Sequence, residues 1–142
     1  MSNPIVRMKM ARDTALGTAW LHNISHIIHR DLKTANLLVD FASGRVCVTD
    51  FGLSQALAPQ AKAKDRFGPR GSALFMAPEV IREQEFDHRV DTYSFGIILW
   101  ELWTCEEPFA DFYDFDTFVD AVHVRGMRPP ISSQYYGYGT SS

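Results

Sequence analysis

Between Asp91 and Cys105 the chain sets Tyr93, Phe95, Ile97, Ile98, Leu99, Trp100, Leu102 and Trp103 within one helical stretch. At about 3.6 residues per turn these side chains cover every face. A helix with no polar side has nothing to offer water, so the pattern predicts a segment buried all round, the spine about which the rest must pack. Length bounds that rest: 142 residues, 46% hydrophobic and 13% aromatic, make one ordinary domain or part of a larger one. No apolar run approaches the roughly 20 residues of a bilayer-spanning helix, so no membrane role is expected. Lys and Arg number 14 against 17 Asp and Glu, a formal net charge of −3. Such a field does not attract a phosphate backbone, and a nucleic-acid partner is disfavoured. Cys47 and Cys105 lack C-x-x-C spacing, and Met1 to Met10 lacks the apolar stretch of a secretion signal. Both features point to the cytoplasm, with the nucleus as the alternative.

From Val6, the apolar or small positions Met10, Ala11, Ala15 and Ala19 recur at helical spacing, with Asn3 as a cap and Pro4 in the first turn. They predict an amphipathic helix ending near His22. Asn23 to Asn36 reads as polar and irregular apart from Ile24, Ile27 and Ile28. Leu37 to Val39 and Arg45 to Val48 are short β-type runs flanking Asp40-Phe-Ala-Ser-Gly44, which predicts a small hairpin. Leu53 to Gly71 carries Pro59, Gly68, Pro69, Lys62, Lys64, Arg66 and Arg70. This is loop composition, and the loop is long enough to favour a functional one. Its basic residues read as a solvated face rather than a nucleic-acid patch. Pro78 to Glu83 suits a short helix, and Asp116 to Val124 a last one. Ser132 to Ser142 has no periodicity and reads as a disordered tail. The fold class expected is mainly α with a short β-hairpin.

His29-Arg-Asp-Leu-Lys-Thr-Ala-Asn36, Asp50-Phe-Gly52 and Ala77-Pro-Glu79 follow one another along the chain. Asp-Phe-Gly alone is a common turn. All of them together, in this order, match the protein-kinase signature, and chance agreement over so many fixed letters is negligible. From Val6 to Ile131 the chain resembles the large lobe of a eukaryotic-type protein kinase, most similar to the tyrosine-kinase-like group of Ser/Thr kinases. The resemblance implies a partial kinase domain over residues 1–131. Its reaction would be phosphoryl transfer from MgATP to a protein Ser/Thr hydroxyl, with ATP and Mg²⁺ as the implied cofactors.

Little covalent work falls to the protein in such a transfer, so catalysis is positioning and charge stabilisation. On this resemblance Asp31 accepts the proton of the substrate hydroxyl and Lys33 neutralises the transferring phosphate. Asn36 and Asp50 present oxygen ligands suited to Mg²⁺. Lys33, Asn36 and Asp50 would thus bind the nucleotide and its metal. The hairpin between Asn36 and Asp50 would bring both to one edge of a cleft. By the same resemblance His29 and Phe51 are packed supports, Gly52 gives turn freedom, and Arg30 braces the loop beyond Gly52. Asp91 accepts from catalytic-loop amides, and Ser72 bridges lysine and aspartate. A zinc site at His22, His26 and His29 is the competing reading. The catalytic-loop motif already claims His29, and no H-E-x-x-H is present.

Lys33 and Ser72 favour serine/threonine over tyrosine as acceptor. Tyr93 stands where the family commonly has Trp, a change expected to be neutral. Between Gln55 and Gly71 there is no Ser, Thr or Tyr, so activation by phosphorylation there is not expected. No glycine-rich loop or strand lysine precedes Val6, so the expectation is a truncated domain without its small lobe. A non-catalytic kinase-like interaction module is the alternative function.

Overall fold

The structure, a computed structural model, describes residues 3–58, 60–64 and 72–131. The expected tail and the centre of the long loop lie outside these residues. Helix α1 (Pro4–Trp20) opens as the sequence predicts. The Asn3 side chain accepts from the Ile5 amide at 2.9 Å, and Pro4 takes the first turn, where a missing N–H costs nothing. Its inward face includes the expected Met10, which packs against the core, with Ala11 and Ala15 partly buried, but extends beyond it. Thr14 and Thr18 are buried, followed by Leu21, while Ala19 is exposed. The Thr14 hydroxyl donates to the Met10 carbonyl at 2.8 Å, which satisfies its polar atom on the same helix. A face defined by hydrophobicity alone misses such residues. α1 ends in wider π-type turns over Leu21–Ser25, stopped by His26 in the left-handed region.

The strands are β1 (Ile27–Ile28), β2 (Leu37–Asp40), β3 (Arg45–Val48) and β4 (Gln55–Ala56). β2 and β3 form the expected hairpin, with Leu37 opposite Val48 and Asp40 opposite Arg45. Its turn closes with the Gly44 amide on the Asp40 carbonyl at 2.7 Å, and Gly44 sits at φ 69°, a region that favours glycine. β1 and β4 form a second antiparallel ribbon, Ile27 opposite Ala56, that the sequence reading did not anticipate. Each strand is too short for an alternating pattern to register. Beyond β4, Ala63 pairs with Phe86, so part of the long loop is anchored to the core.

Helices α2 (Pro78–Ile81), α3 (Arg89–Thr104) and α4 (Phe115–Phe118) complete the fold, α4 continuing as π-type turns over Val119–Val124. α3 is the spine. Val90 joins a cluster with Ile28, Met76, Val80 and Phe86; Ile98 packs with Leu32, Leu37 and Val46; Ile97 packs with Phe109, Phe118 and Val122. Each such side chain contributes about 1.5–3 kcal/mol on burial. The helix is not buried all round, however. Leu99 is 40% and Trp103 58% exposed. An apolar sequence permits burial of every face, but only the packing of other elements delivers it. α1 also caps α3: Arg7 Nη1 donates to the carbonyls of Leu102 and Trp103 at 3.0 and 2.9 Å, where the helix end is short of partners. Among the described residues, no helix is long and apolar enough to cross a membrane.

Candidate active site

The loop between β1 and β2 carries His29 to Asn36, and α3 holds it from below. Asp91, fully buried in the first turn of α3, accepts from the His29 amide at 2.8 Å through Oδ2 and the Arg30 amide at 2.9 Å through Oδ1. This is the role expected for it. His22 Nε2 also meets Oδ2 at 2.7 Å. Two backbone donors and an imidazole thereby stabilise a carboxylate that would be costly to bury alone. Arg30 takes φ 71°, an uncommon conformation for a side-chain-bearing residue. Its guanidinium lies over the Phe86 ring and reaches Gln55 in β4, so it does brace the chain beyond Gly52.

His29 is buried. Its Nε2 lies 2.9 Å from the Thr49 carbonyl, which can only accept, so Nε2 carries the hydrogen and Nδ1 accepts from the Asp31 amide at 3.3 Å. Its ring stands 5.2 Å from that of Phe51, itself 45% exposed. The three-histidine zinc reading is opposed by these contacts, because His22 Nε2 is engaged by Asp91 and both His29 nitrogens by backbone groups.

Asp31, Lys33, Asn36 and Ser72 form one network. Asp31 Oδ2 accepts from Lys33 Nζ at 2.9 Å and Asn36 Nδ2 at 3.2 Å, while Oδ1 accepts from the Ser72 amide at 2.9 Å. Lys33 Nζ also donates to Ser72 Oγ at 2.7 Å, the bridge expected of that serine. Burial pushes the Asp31 carboxyl up, but the bonds from Lys33 and Ser72 outweigh it and hold the group below the usual carboxylate range. Asp31 is therefore ionised at neutral pH and can accept, while Lys33 can neutralise an anion beside it.

Asn36 ends a 3₁₀ turn, Thr34–Asn36, and begins the hairpin. Its carbonyl accepts from the Thr49 amide and hydroxyl at 2.9 and 3.1 Å, so Asp50 follows directly at the hairpin's open end. Asn36 Nδ2 is spent on the Asp31 carbonyl at 2.8 Å as well as on its carboxylate, which leaves Oδ1 as acceptor. Asp50 is exposed, and Oδ1 accepts from the Gly52 amide at 3.3 Å. An amide oxygen and a carboxylate are hard donors that fit Mg²⁺. The turn freedom expected of Gly52 belongs to Asp50, which sits at φ 62°. A Cβ at Gly52 would stand 3.2 Å from Asp50 Oδ1, so a side chain there would require the exposed carboxylate to shift by a few tenths of an ångström.

The supporting roles of Thr49, His22 and Thr34 are not legible in the sequence, where His22 enters only as a helix end and a candidate zinc ligand. They act through backbone contacts or single hydroxyls, which leave no pattern. Tyr93, expected to be a neutral change, has a buried hydroxyl with no partner among the described residues.

A carboxylate, an ammonium and an amide converging on one loop, in a kinase-type large lobe, define the class to which comparison with known proteins leads. The family model for protein tyrosine and serine/threonine kinase matches residues 3–135. The dual specificity protein kinase shkE of Dictyostelium discoideum is 48% identical over 129 residues, covering 91% of this chain and 18% of shkE. Dual specificity protein kinase shkC of the same organism is 47% identical over 89% of this chain and 25% of its own length. The serine/threonine-protein kinase STY17 of Arabidopsis thaliana is 40% identical over 89% of this chain and 21% of its own length. The chain belongs to the protein tyrosine and serine/threonine kinase family. It spans a quarter or less of these curated relatives.

Proposed function

We propose that this chain is the large lobe of a serine/threonine protein kinase that transfers the γ-phosphoryl group of ATP to a protein hydroxyl. The observation that carries the reading is the Asp31–Lys33–Ser72 network. Asp31 Oδ2, released from Lys33 by an incoming hydroxyl, takes its proton. A carboxylate held below its usual range is a weak base, which suits a loose transition state in which the proton leaves late. Lys33 turns from aspartate to phosphate and neutralises charge as it develops. Asn36 Oδ1 and the Asp50 carboxylate would hold Mg²⁺, which would offset the charge of the nucleotide phosphates. Residues 1–131 make up the lobe, and the work is assigned to the cytoplasm, where the exposed thiols Cys47 and Cys105 persist reduced.

Serine/threonine specificity rests on Lys33 and Ser72. The names of the relatives span dual-specificity and serine/threonine kinases, so the acceptor is tested directly. The 142 residues contain no G-x-G-x-x-G. Alone, they forgo much of an orientation effect worth about 7–11 kcal/mol in well-positioned systems, and are expected to bind MgATP weakly and transfer poorly. The experiment titrates MgATP by calorimetry against the chain, then fuses it behind a kinase small lobe and incubates it with peptide libraries. Ser/Thr labelling abolished by Asp31→Asn is the expected result. Labelling of tyrosine alone would overturn the acceptor assignment. A fusion that binds MgATP but never transfers would support the non-catalytic module.

A further inference from the structure

α3 touches the candidate site at more places than Asp91. Asp91, Ser94, Ile98 and Glu101 fall within about 80° of helix arc and along about 15 Å of its axis. Each meets a different part of the site's frame. Asp91 holds the His29 and Arg30 amides. Ser94 Oγ donates to the Phe75 carbonyl at 2.7 Å, on the turn that follows Ser72. Ile98 packs against Leu32, and both are fully buried. Glu101 Oε2 accepts from Thr34 Oγ1 at 2.8 Å.

The last of these has no role in the reading above. Thr34 lies between Lys33 and Asn36 and opens the 3₁₀ turn that joins them. That turn is short, closed by the Asn36 amide on the Lys33 carbonyl at 3.0 Å and the Leu37 amide on the Thr34 carbonyl. Leu32 fixes the loop before it and the hairpin fixes the chain after it. Within the Lys33–Asn36 segment, the Thr34 side chain hydrogen-bonds to α3. The bond is charge-assisted, a class stronger than neutral pairs. Glu101 is half-buried, beside a groove of about 490 Å³ also lined by Lys33, Glu106 and Glu107. The Lys33 ammonium in that groove is spent on Asp31 and Ser72, while Thr34 donates to Glu101.

We propose that the Thr34–Glu101 hydrogen bond is a positioning contact that holds the Lys33–Asn36 turn against α3, so that the ammonium and the amide face Asp31 together. The inference rests on the kinase reading for its purpose, though not for its geometry. Thr34 and Glu101 touch neither nucleotide nor hydroxyl in this scheme. They set where Lys33 and Asn36 stand, and a displacement of that turn lowers the rate without changing which groups are present.

The test uses the 142-residue chain for geometry and the small-lobe fusion for catalysis. Thr34→Val and Glu101→Leu are each expected to speed amide exchange at Asn36 by about tenfold, the scale of one lost charge-assisted bond. Exchange at His29 and Arg30, held by Asp91, stays unchanged. The double variant adds nothing to either single one, and Thr34→Ser restores the native rate. In the fusion, Thr34→Val lowers kcat by about tenfold with KM for ATP within twofold, and Thr34→Ser recovers it. Unchanged Asn36 exchange in both single variants would overturn the contact. So would a Glu101→Leu variant that raises KM for protein substrate alone, since Glu101 would then be reading substrate. Faster Asn36 exchange with an unchanged kcat would make the bond merely structural. If the native fusion transfers nothing, the kinase reading falls and takes the catalytic purpose with it, while the exchange data still decide the contact.

Discussion

His123 gives the structure its most direct handle on acid stability. Its ring is 1% exposed, and neither nitrogen has a partner among the described residues. Phe118 stands edge-on to it at 5.2 Å. Burial, and then the nearby positive charges of Arg128 and Arg82, push the imidazole down from 6.5 to about 4. A base with a depressed pKa is bound neutral, so the unfolded chain takes up a proton that the folded chain refuses. The stability this group confers is therefore fully present above about pH 6.5 and is lost as pH falls toward 4. At about 1.36 kcal/mol per tenfold change in proton affinity, the interval corresponds to about 3 kcal/mol, and we expect about 2 after screening and local relaxation. The assay is urea denaturation at intervals from pH 7.5 to 4, comparing the native chain with His123→Phe. Phenylalanine fills the site without titrating. The stability difference between the two should swing toward the variant by about 2 kcal/mol across the acid limb. A difference that stays flat with pH would refute the argument, because it would mean that His123 takes up its proton equally in both states.

Removing Asp91 orphans the His29 and Arg30 amides and the His22 imidazole together, so Asp91→Ala is expected to cost about 3 kcal/mol in the same denaturation assay, and a loss below about 1 would contradict the anchor. Tyr93→Phe removes a buried hydroxyl without a partner among the described residues and should stabilise the fold by about 1 kcal/mol; destabilisation would reveal a partner for that oxygen. In Lys33→Met, Asp31 keeps its burial but loses its principal hydrogen-bond donor, so a ¹³C-detected titration should show the carboxyl rising from its depressed value. An unmoved titration would mean that the Ser72 amide and Asn36 alone set it.

The candidate site was legible as a motif because its letters are contiguous. Asp31, Lys33 and Asn36 must share one loop, and the short span from Asn36 to Asp50, folded as a hairpin, returns the chain to where it began. Ser72 and Asp91 were readable by their place relative to those motifs, and both make the contacts expected of them. What escaped were contacts that no motif letter marks. The Thr14 face of α1, the β1–β4 ribbon and the Thr34–Glu101 bond each join residues whose own surroundings look unremarkable.

The apolar stretch of α3 shows where the division lies. Its composition was enough to require a helix at the centre of the domain, since so many large side chains over consecutive turns have no other way to leave water. Composition could not say which face would be covered. That was decided by the elements that pack against it, which bury Val90, Ile97 and Ile98 and leave Leu99 and Trp103 open. The same holds for Asp50 and Gly52. The letters Asp-Phe-Gly suggest a turn, but only the structure shows the left-handed conformation on the aspartate, directly after Thr49 closes the hairpin on the Asn36 carbonyl. Local sequence sets what each segment can do by itself, while exposure and backbone strain belong to the contacts between segments, which exist only once the chain has closed on itself.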